Sequence, residues 1–295
     1  MTRSGAGITV FGAFLLLFGC ATTPTPERNR PVESLATIIS EVNLERDRDI
    51  YRLPYPRDAE GRNLFEGALE RLDDWERLHP QEMDSVVAFT RALCHEKLAE
   101  VEEARQEYAL VGGGDPSLAK EADRREKLMQ DLAHLFRPPL DLGGQEGAFP
   151  LEAARSRAER AVEKYKGTEW EELALVLAEK QAEEECLRLR SGRASSLDYR
   201  NVLEETILRF PDSKNIYRHK MRLGLYYEDQ MREWIAQAQV TRDRETWELA
   251  RDSYDKAARI YLEVSRADGY PEKREAQARQ AVLEEMARKI DNGLR

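Results

Sequence analysis

The residue patterns that could support catalysis are few and incomplete. Ser117 and Lys120 form a Ser-x-x-Lys pattern, in which a lysine can activate a serine for nucleophilic attack. Ser213 and Asn215 match a Ser-x-Asn element that accompanies it in some serine enzymes, but the Lys-Thr-Gly element is absent from the sequence. Gly-x-Ser-x-Gly, Gly-x-x-x-x-Gly-Lys and His-Glu-x-x-His are absent as well. We therefore predict a protein that is not an enzyme and has neither catalytic residues nor a cofactor.

The residues that could bind a metal ion are scattered. The four histidines are widely separated and lack the spacing of metal ligands; they are His79, His95, His134 and His219. Carboxylates are abundant, but runs such as residues 183–185 are typical of a solvated helix face. The sequence therefore predicts no metal site.

The first of the three cysteines, Cys20, ends a short apolar segment. Arg3 precedes an apolar run over residues 8–18, and Leu17-Phe18-Gly19 leads into the cysteine. Eleven helical residues span about 16 Å, which is too short to cross a hydrocarbon core of about 30 Å. The segment resembles the signal and lipobox of bacterial lipoproteins, which implies cleavage before Cys20 and lipidation of that residue. A plain secretory signal is the alternative.

Ala21 follows the cysteine where an aspartate would favour retention at the inner membrane. The resemblance therefore implies a lipid-anchored protein of the cell envelope, at the outer membrane and facing the periplasm. Cys94 and Cys186 remain after lipidation of Cys20. An oxidising periplasm would permit a disulfide between them, and two separate buried thiols are the alternative.

Residues 199–227 contain two predicted amphipathic helices and a turn. Apolar residues recur at a spacing of three and four before Pro211, which ends the first helix. Gly224 lies within the second helix, where glycine is costly and usually marks close approach of another helix. Leu223, Gly224 and Tyr227 resemble the Leu-Gly-aromatic motif of the tetratricopeptide repeat (TPR).

A second stretch, residues 88–116, also resembles this repeat. Ala92 and Ala104 occupy positions that require small residues, Tyr108 follows four residues later, and Pro116 closes the unit. The resemblance implies an all-α, TPR-like solenoid of helical hairpins, in which stacked repeats form a binding groove. The pattern predicts about ten to twelve helices and no strand along the chain.

Arg218 and Arg222 lie four residues apart on a predicted helix and therefore share a face. They resemble two basic positions of the carboxylate clamp in TPR proteins. The resemblance implies that they bind a partner's carboxylate, and two ordinary solvated arginines are the alternative.

The predicted organisation has five parts. They are a signal peptide over residues 1–19, a flexible tether over 20–60, an N-terminal TPR-like block over 61–136, a linker over 137–149 and a C-terminal TPR-like block over 150–295. The linker boundary rests on its prolines and glycines, which interrupt the helical pattern.

Composition limits the class of partner. The formal net charge of −10 argues against a nucleic-acid partner, because a phosphate backbone requires a basic surface. The TPR resemblance implies a non-enzymatic, membrane-anchored scaffold that binds an envelope protein or peptide in its groove and helps to assemble an envelope complex. The alternative is an envelope enzyme of the helical lytic transglycosylase type, acting on peptidoglycan.

Overall fold

The computed structural model describes residues 34–136, 151–191 and 196–294. Eleven helices and no strand lie within these ranges, which confirms the predicted all-α class. The helices are α1 (Leu35–Arg48), α2 (Leu64–Leu78), α3 (Asp84–Lys97), α4 (Val101–Ala109), α5 (Pro116–Phe136), α6 (Leu151–Tyr165), α7 (Glu171–Ser191), α8 (Ser196–Arg209), α9 (Ile216–Thr241), α10 (Arg244–Val264) and α11 (Glu272–Leu294). None of these described helices combines the length and apolar character that a bilayer crossing requires.

Helices that are consecutive in the chain pack against each other throughout the described residues. Alternate helices also pack against each other, including α1 with α3, α5 with α7, and α9 with α11. The core consists of three main clusters in chain order, built by α1–α3, by α3–α7 and by α7–α11, with a smaller one around α6 and α7. Neighbouring clusters share a helix, so the hydrophobic core is continuous from one helical pair to the next.

Helix ends follow the local chemistry of the sequence. The Asp115 carboxylate accepts the backbone N–H of Ser117 at 2.8 Å and so caps α5. The Thr168 hydroxyl accepts the N–H of Trp170, and the Glu171 carboxylate accepts that of Gly167 at 2.8 Å. These two side-chain acceptors satisfy backbone N–H groups in the turn that leads into α7.

Gly224 marks the close approach that its position in α9 predicts. A Cβ atom added there would lie 2.5 Å from Cε1 of Tyr261 on α10, so an alanine would force the helices apart. The Tyr261 hydroxyl donates to the buried Glu228 carboxylate at 2.7 Å and fixes the ring in this position.

The predicted tether does not extend to residue 60. The folded unit begins at Ser34, and Leu35, Ile38 and Val42 of α1 are buried against α2 and α3. These residues recur at a spacing of three and four, so α1 has an apolar face that packs into the body. The signal peptide, Cys20 and the linker over 137–149 lie outside the described residues.

Candidate functional site

Residues 49–57 form the first part of the connection between α1 and α2, and we call them the crossing segment because they contact residues of the C-terminal half. The Arg52 guanidinium lies 3.3 Å from the Asp212 carboxylate. The Tyr270 hydroxyl donates to the Arg52 carbonyl at 3.5 Å. Two prolines prevent the segment from continuing α1 as a helix. The two ends of the described chain are therefore held together by an irregular segment.

The crossing segment is held by a buried lysine. Lys214 Nζ lies 2.8 Å from Asp49 Oδ1 and 3.0 Å from Glu172 Oε1, and 4.4 Å from the centroid of the Tyr55 ring. The side chains of Lys214 and Asp49 are 1% and 0% exposed. Lys97 Nζ donates to the Asp49 carbonyl at 3.0 Å. The ion pair is therefore shielded from water and joins α1 to the start of α9.

Neighbouring charges and burial have opposite effects on the pKa of Lys214. Burial alone would lower its pKa, but the carboxylates of Asp49 and Glu172 outweigh this effect and hold the pKa above the ordinary lysine value. Lys214 therefore keeps its charge in the folded protein. Removing one member of such a buried pair leaves the other without compensation, at a cost of about 3–5 kcal/mol.

A second buried network joins α7 to α9. Glu179 Oε1 accepts from the Ser213 hydroxyl at 2.7 Å and lies 2.5 Å from His219 Nε2. The Tyr51 hydroxyl of the crossing segment donates to Glu179 Oε2 at 3.3 Å. Burial would raise the pKa of Glu179, but its hydrogen bonds to His219 and Ser213 outweigh burial and lower that pKa. Glu179 is therefore an ionised acceptor shared by three donors.

This network does not have the geometry of a hydrolase site. A serine nucleophile needs a histidine that takes its proton, but the Ser213 hydroxyl bonds to Glu179, as His219 does. Ser213 and His219 are both only 1% exposed, so a substrate could not reach the hydroxyl. The network fits a structural role.

The same network contains the only described cluster with metal-ligand spacing, formed by Glu179, Glu183 and His219. Glu183 Oε1 accepts from Arg218 Nη2 at 2.6 Å, and Arg222 Nη1 lies 3.3 Å from it. Two guanidinium groups beside the carboxylate would repel a cation, and His219 Nε2 is already bonded to Glu179. These residues therefore do not fit a metal centre.

Arg218 and Arg222, predicted as partner-binding residues, both face Glu183 of α7. Their side chains are 44% and 25% exposed. Each guanidinium therefore already has an acidic neighbour within this chain, and a partner's carboxylate would have to compete with it.

A cavity of about 390 Å³ lies beside the crossing segment. Tyr55 and Tyr270 form parts of its wall, from the crossing segment and from just before α11. Val176 and Lys180 of α7 contribute from another side, as does the Leu98 turn after α3. Most of the lining lies in the segments between helices, and α7 supplies the largest helical share.

Cys94 and Cys186 are free, buried thiols in different core clusters. Burial raises the pKa of Cys94 to about 12 and that of Cys186 to about 11. Both are therefore protonated packing residues near neutral pH and unreactive as nucleophiles.

The residues that organise this region were not among the predicted site residues. Lys214 lies in a polar turn and Asp49 at a helix end, positions in which charged residues are usually solvated. Their pairing spans 165 residues, so no local pattern could indicate it. The only signal was the pair of prolines that make residues 49–57 non-helical.

No family model matches this chain, and comparisons with curated proteins and with solved structures likewise find no match.

Proposed function

We propose that the chain is a non-enzymatic, membrane-anchored scaffold of the TPR-like helical solenoid type. It binds an envelope protein or peptide in a groove that includes the cavity beside the crossing segment, and it helps to assemble or organise an envelope complex. Acylated Cys20 anchors it, most simply to the outer membrane with the folded unit in the periplasm.

The packing supports the repeat assignment. Eleven described helices make five successive pairs and a terminal helix, and contacts between alternate helices are typical of stacked helical hairpins. The repeat-like residues have the expected burial: Ala92 and Ala104 are inaccessible, Tyr108 is 2% exposed, and Gly224 contacts Tyr261.

The cavity is the single observation that carries the binding function. It lies where the crossing segment, the turn after α3, the face of α7, the start of α9 and the start of α11 meet, so segments between helices and the helices α7, α9 and α11 together form most of its lining. Its volume of about 390 Å³ falls within the range of about 300–1,000 Å³ that is usual for ligand sites. Neither buried polar network offers an accessible nucleophile, which favours binding over catalysis.

Photo-crosslinking in the native envelope tests this proposal. The variant Tyr270→p-benzoylphenylalanine places a photoreactive ring at the cavity, and Leu208→p-benzoylphenylalanine places one on α8, where Leu208 is 79% exposed. We expect a discrete crosslinked envelope protein from the first variant and not from the second. No adduct at the cavity, or identical adducts from both positions, would refute the groove function.

A second assay addresses the enzymatic alternative. The purified protein, incubated with peptidoglycan sacculi, is expected to release no anhydro-muropeptides. Their release would show that the chain is a transglycosylase rather than a scaffold.

A further inference from the structure

The cavity beside the crossing segment has rigid aromatic and proline walls. The Tyr270 ring is held edge-on to Tyr217, with ring centroids 4.6 Å apart, and Pro271 follows it in the lining. Pro54 and Tyr55 add a second proline and a second tyrosine to the lining, from the crossing segment. Aromatic and proline surfaces of this kind bind extended peptides well, because little side-chain entropy is lost on contact.

Two of the four cationic residues in the lining are already neutralised. Lys214 is paired with carboxylates of this chain, and so is Arg218. The other two are Arg57, which donates to the Gly61 carbonyl at 2.5 Å, and Lys180, which donates to the Ala99 carbonyl at 3.3 Å. Among the described residues, neither has a carboxylate partner.

The acidic residues of the lining divide in the same way. Glu179 and Glu183 belong to the network described above, and Glu100 lies 2.8 Å from His95 Nδ1. Glu66 and Glu272 have no cationic partner in the part of the chain that the structure describes. The cavity thus presents two uncompensated charges of each sign.

We propose that this cavity binds an extended peptide segment that carries at least one acidic and one basic side chain. Arg57 and Lys180 bind its carboxylate, Glu66 and Glu272 bind its cationic group, and the tyrosine and proline walls contact its backbone. This assignment rests on the proposed scaffold function and names its ligand class. A simple anion fits poorly because two glutamates face the same space, and a simple cation fits poorly because of Arg57 and Lys180.

A peptide selection tests the assignment. A phage-displayed library of random dodecapeptides is panned on the purified full-length protein, and enriched peptides are labelled with fluorescein for anisotropy titrations. We expect enriched sequences that contain both an acidic and a basic residue. The double variants Arg57→Gln/Lys180→Gln and Glu66→Gln/Glu272→Gln should each weaken their binding by about tenfold, since each removes two partly exposed charge pairs.

Two matched controls change net charge equally at exposed positions outside the cavity. They are Lys120→Gln/Arg259→Gln and Glu103→Gln/Glu245→Gln, and both should bind the peptides as the unmodified protein does. Failure to enrich peptides, enrichment of sequences with one sign of charge, or equal binding by cavity and control variants would each overturn the assignment. If Tyr270 still crosslinks an envelope protein in that event, only the ligand class is wrong. If it does not, the scaffold function fails as well.

Discussion

Replacement of Lys214 by methionine tests whether the buried ion pair holds the crossing segment in place. The substitution keeps an unbranched side chain that is one atom shorter and removes the charge, which leaves Asp49 with a side chain that is 0% exposed. Lys97 Nζ lies 3.4 Å from Asp49 Oδ2 and compensates in part, and Glu172 is 27% exposed and can regain water. We therefore expect the lower end of the range for a broken buried pair, about 3 kcal/mol in the free energy of unfolding.

The measurement is urea denaturation followed by circular dichroism at 222 nm. Lys220→Met is the matched control, because Lys220 pairs with Glu263 at 2.5 Å but the two side chains are 21% and 52% exposed. A pair of this kind contributes about 0–1 kcal/mol. If Lys214→Met costs no more than Lys220→Met, the buried pair does not stabilise the folded unit and the reasoning is wrong.

A double variant distinguishes the energy of the ion pair from the other effects of each substitution. Asp49→Asn/Lys214→Met removes both charges, so its cost should fall below the sum of the single costs by at least about 1 kcal/mol. Strictly additive costs would mean that the two residues stabilise the protein independently.

Three further predictions concern the core, a buried carboxylate and the anchor. Gly224→Ala should lower the melting temperature by several degrees, because the new Cβ would lie 2.5 Å from Tyr261. Gly113→Ala is the control and should not lower it, because no atom lies within 4 Å of a Cβ built at Gly113. Equal melting temperatures for the two variants would contradict the close packing. The pKa of Glu179 is lowered in the folded protein, so ionised Glu179 raises the free energy of unfolding at pH values above the ordinary glutamate pKa. This contribution is lost as the pH falls through the pKa of Glu179 in the folded protein. Urea titrations at pH 7 and at pH 3, well below the ordinary glutamate value of 4.5, should therefore show a larger loss of stability for the unmodified protein than for Glu179→Gln, and equal losses would refute this. Cys20→Ser should release the folded protein from the membrane fraction, and unchanged fractionation would count against the acyl anchor.

Local features of the fold were predictable because they depend on nearby residues. The spacing of apolar residues before Pro211 predicted a helix that ends there, and α8 ends at Arg209. Gly224 indicated a close helix contact before any partner was known. Each of these signals acts within a few turns of one helix.

The charge network was not predictable for the opposite reason. Glu179 lies beside acidic residues 183–185, whose pattern indicates a solvated face, yet it is 1% exposed and bonded to His219. Burial of such a carboxylate depends on donors that arrive from distant parts of the chain. The same holds for Arg218 and Arg222. Their spacing predicts that they share a helix face, but it does not indicate that Glu183 of α7 lies beside both.

The Asp49–Lys214 pair also has a consequence for biosynthesis. Its two members are 165 residues apart, so a ribosome adding about 5–20 residues per second completes α1 about 8–33 seconds before it adds the lysine. During that interval Asp49 lacks the lysine that it pairs with in the folded protein. The buried ion pair between the crossing segment and the turn before α9 therefore forms only after that turn has been translated.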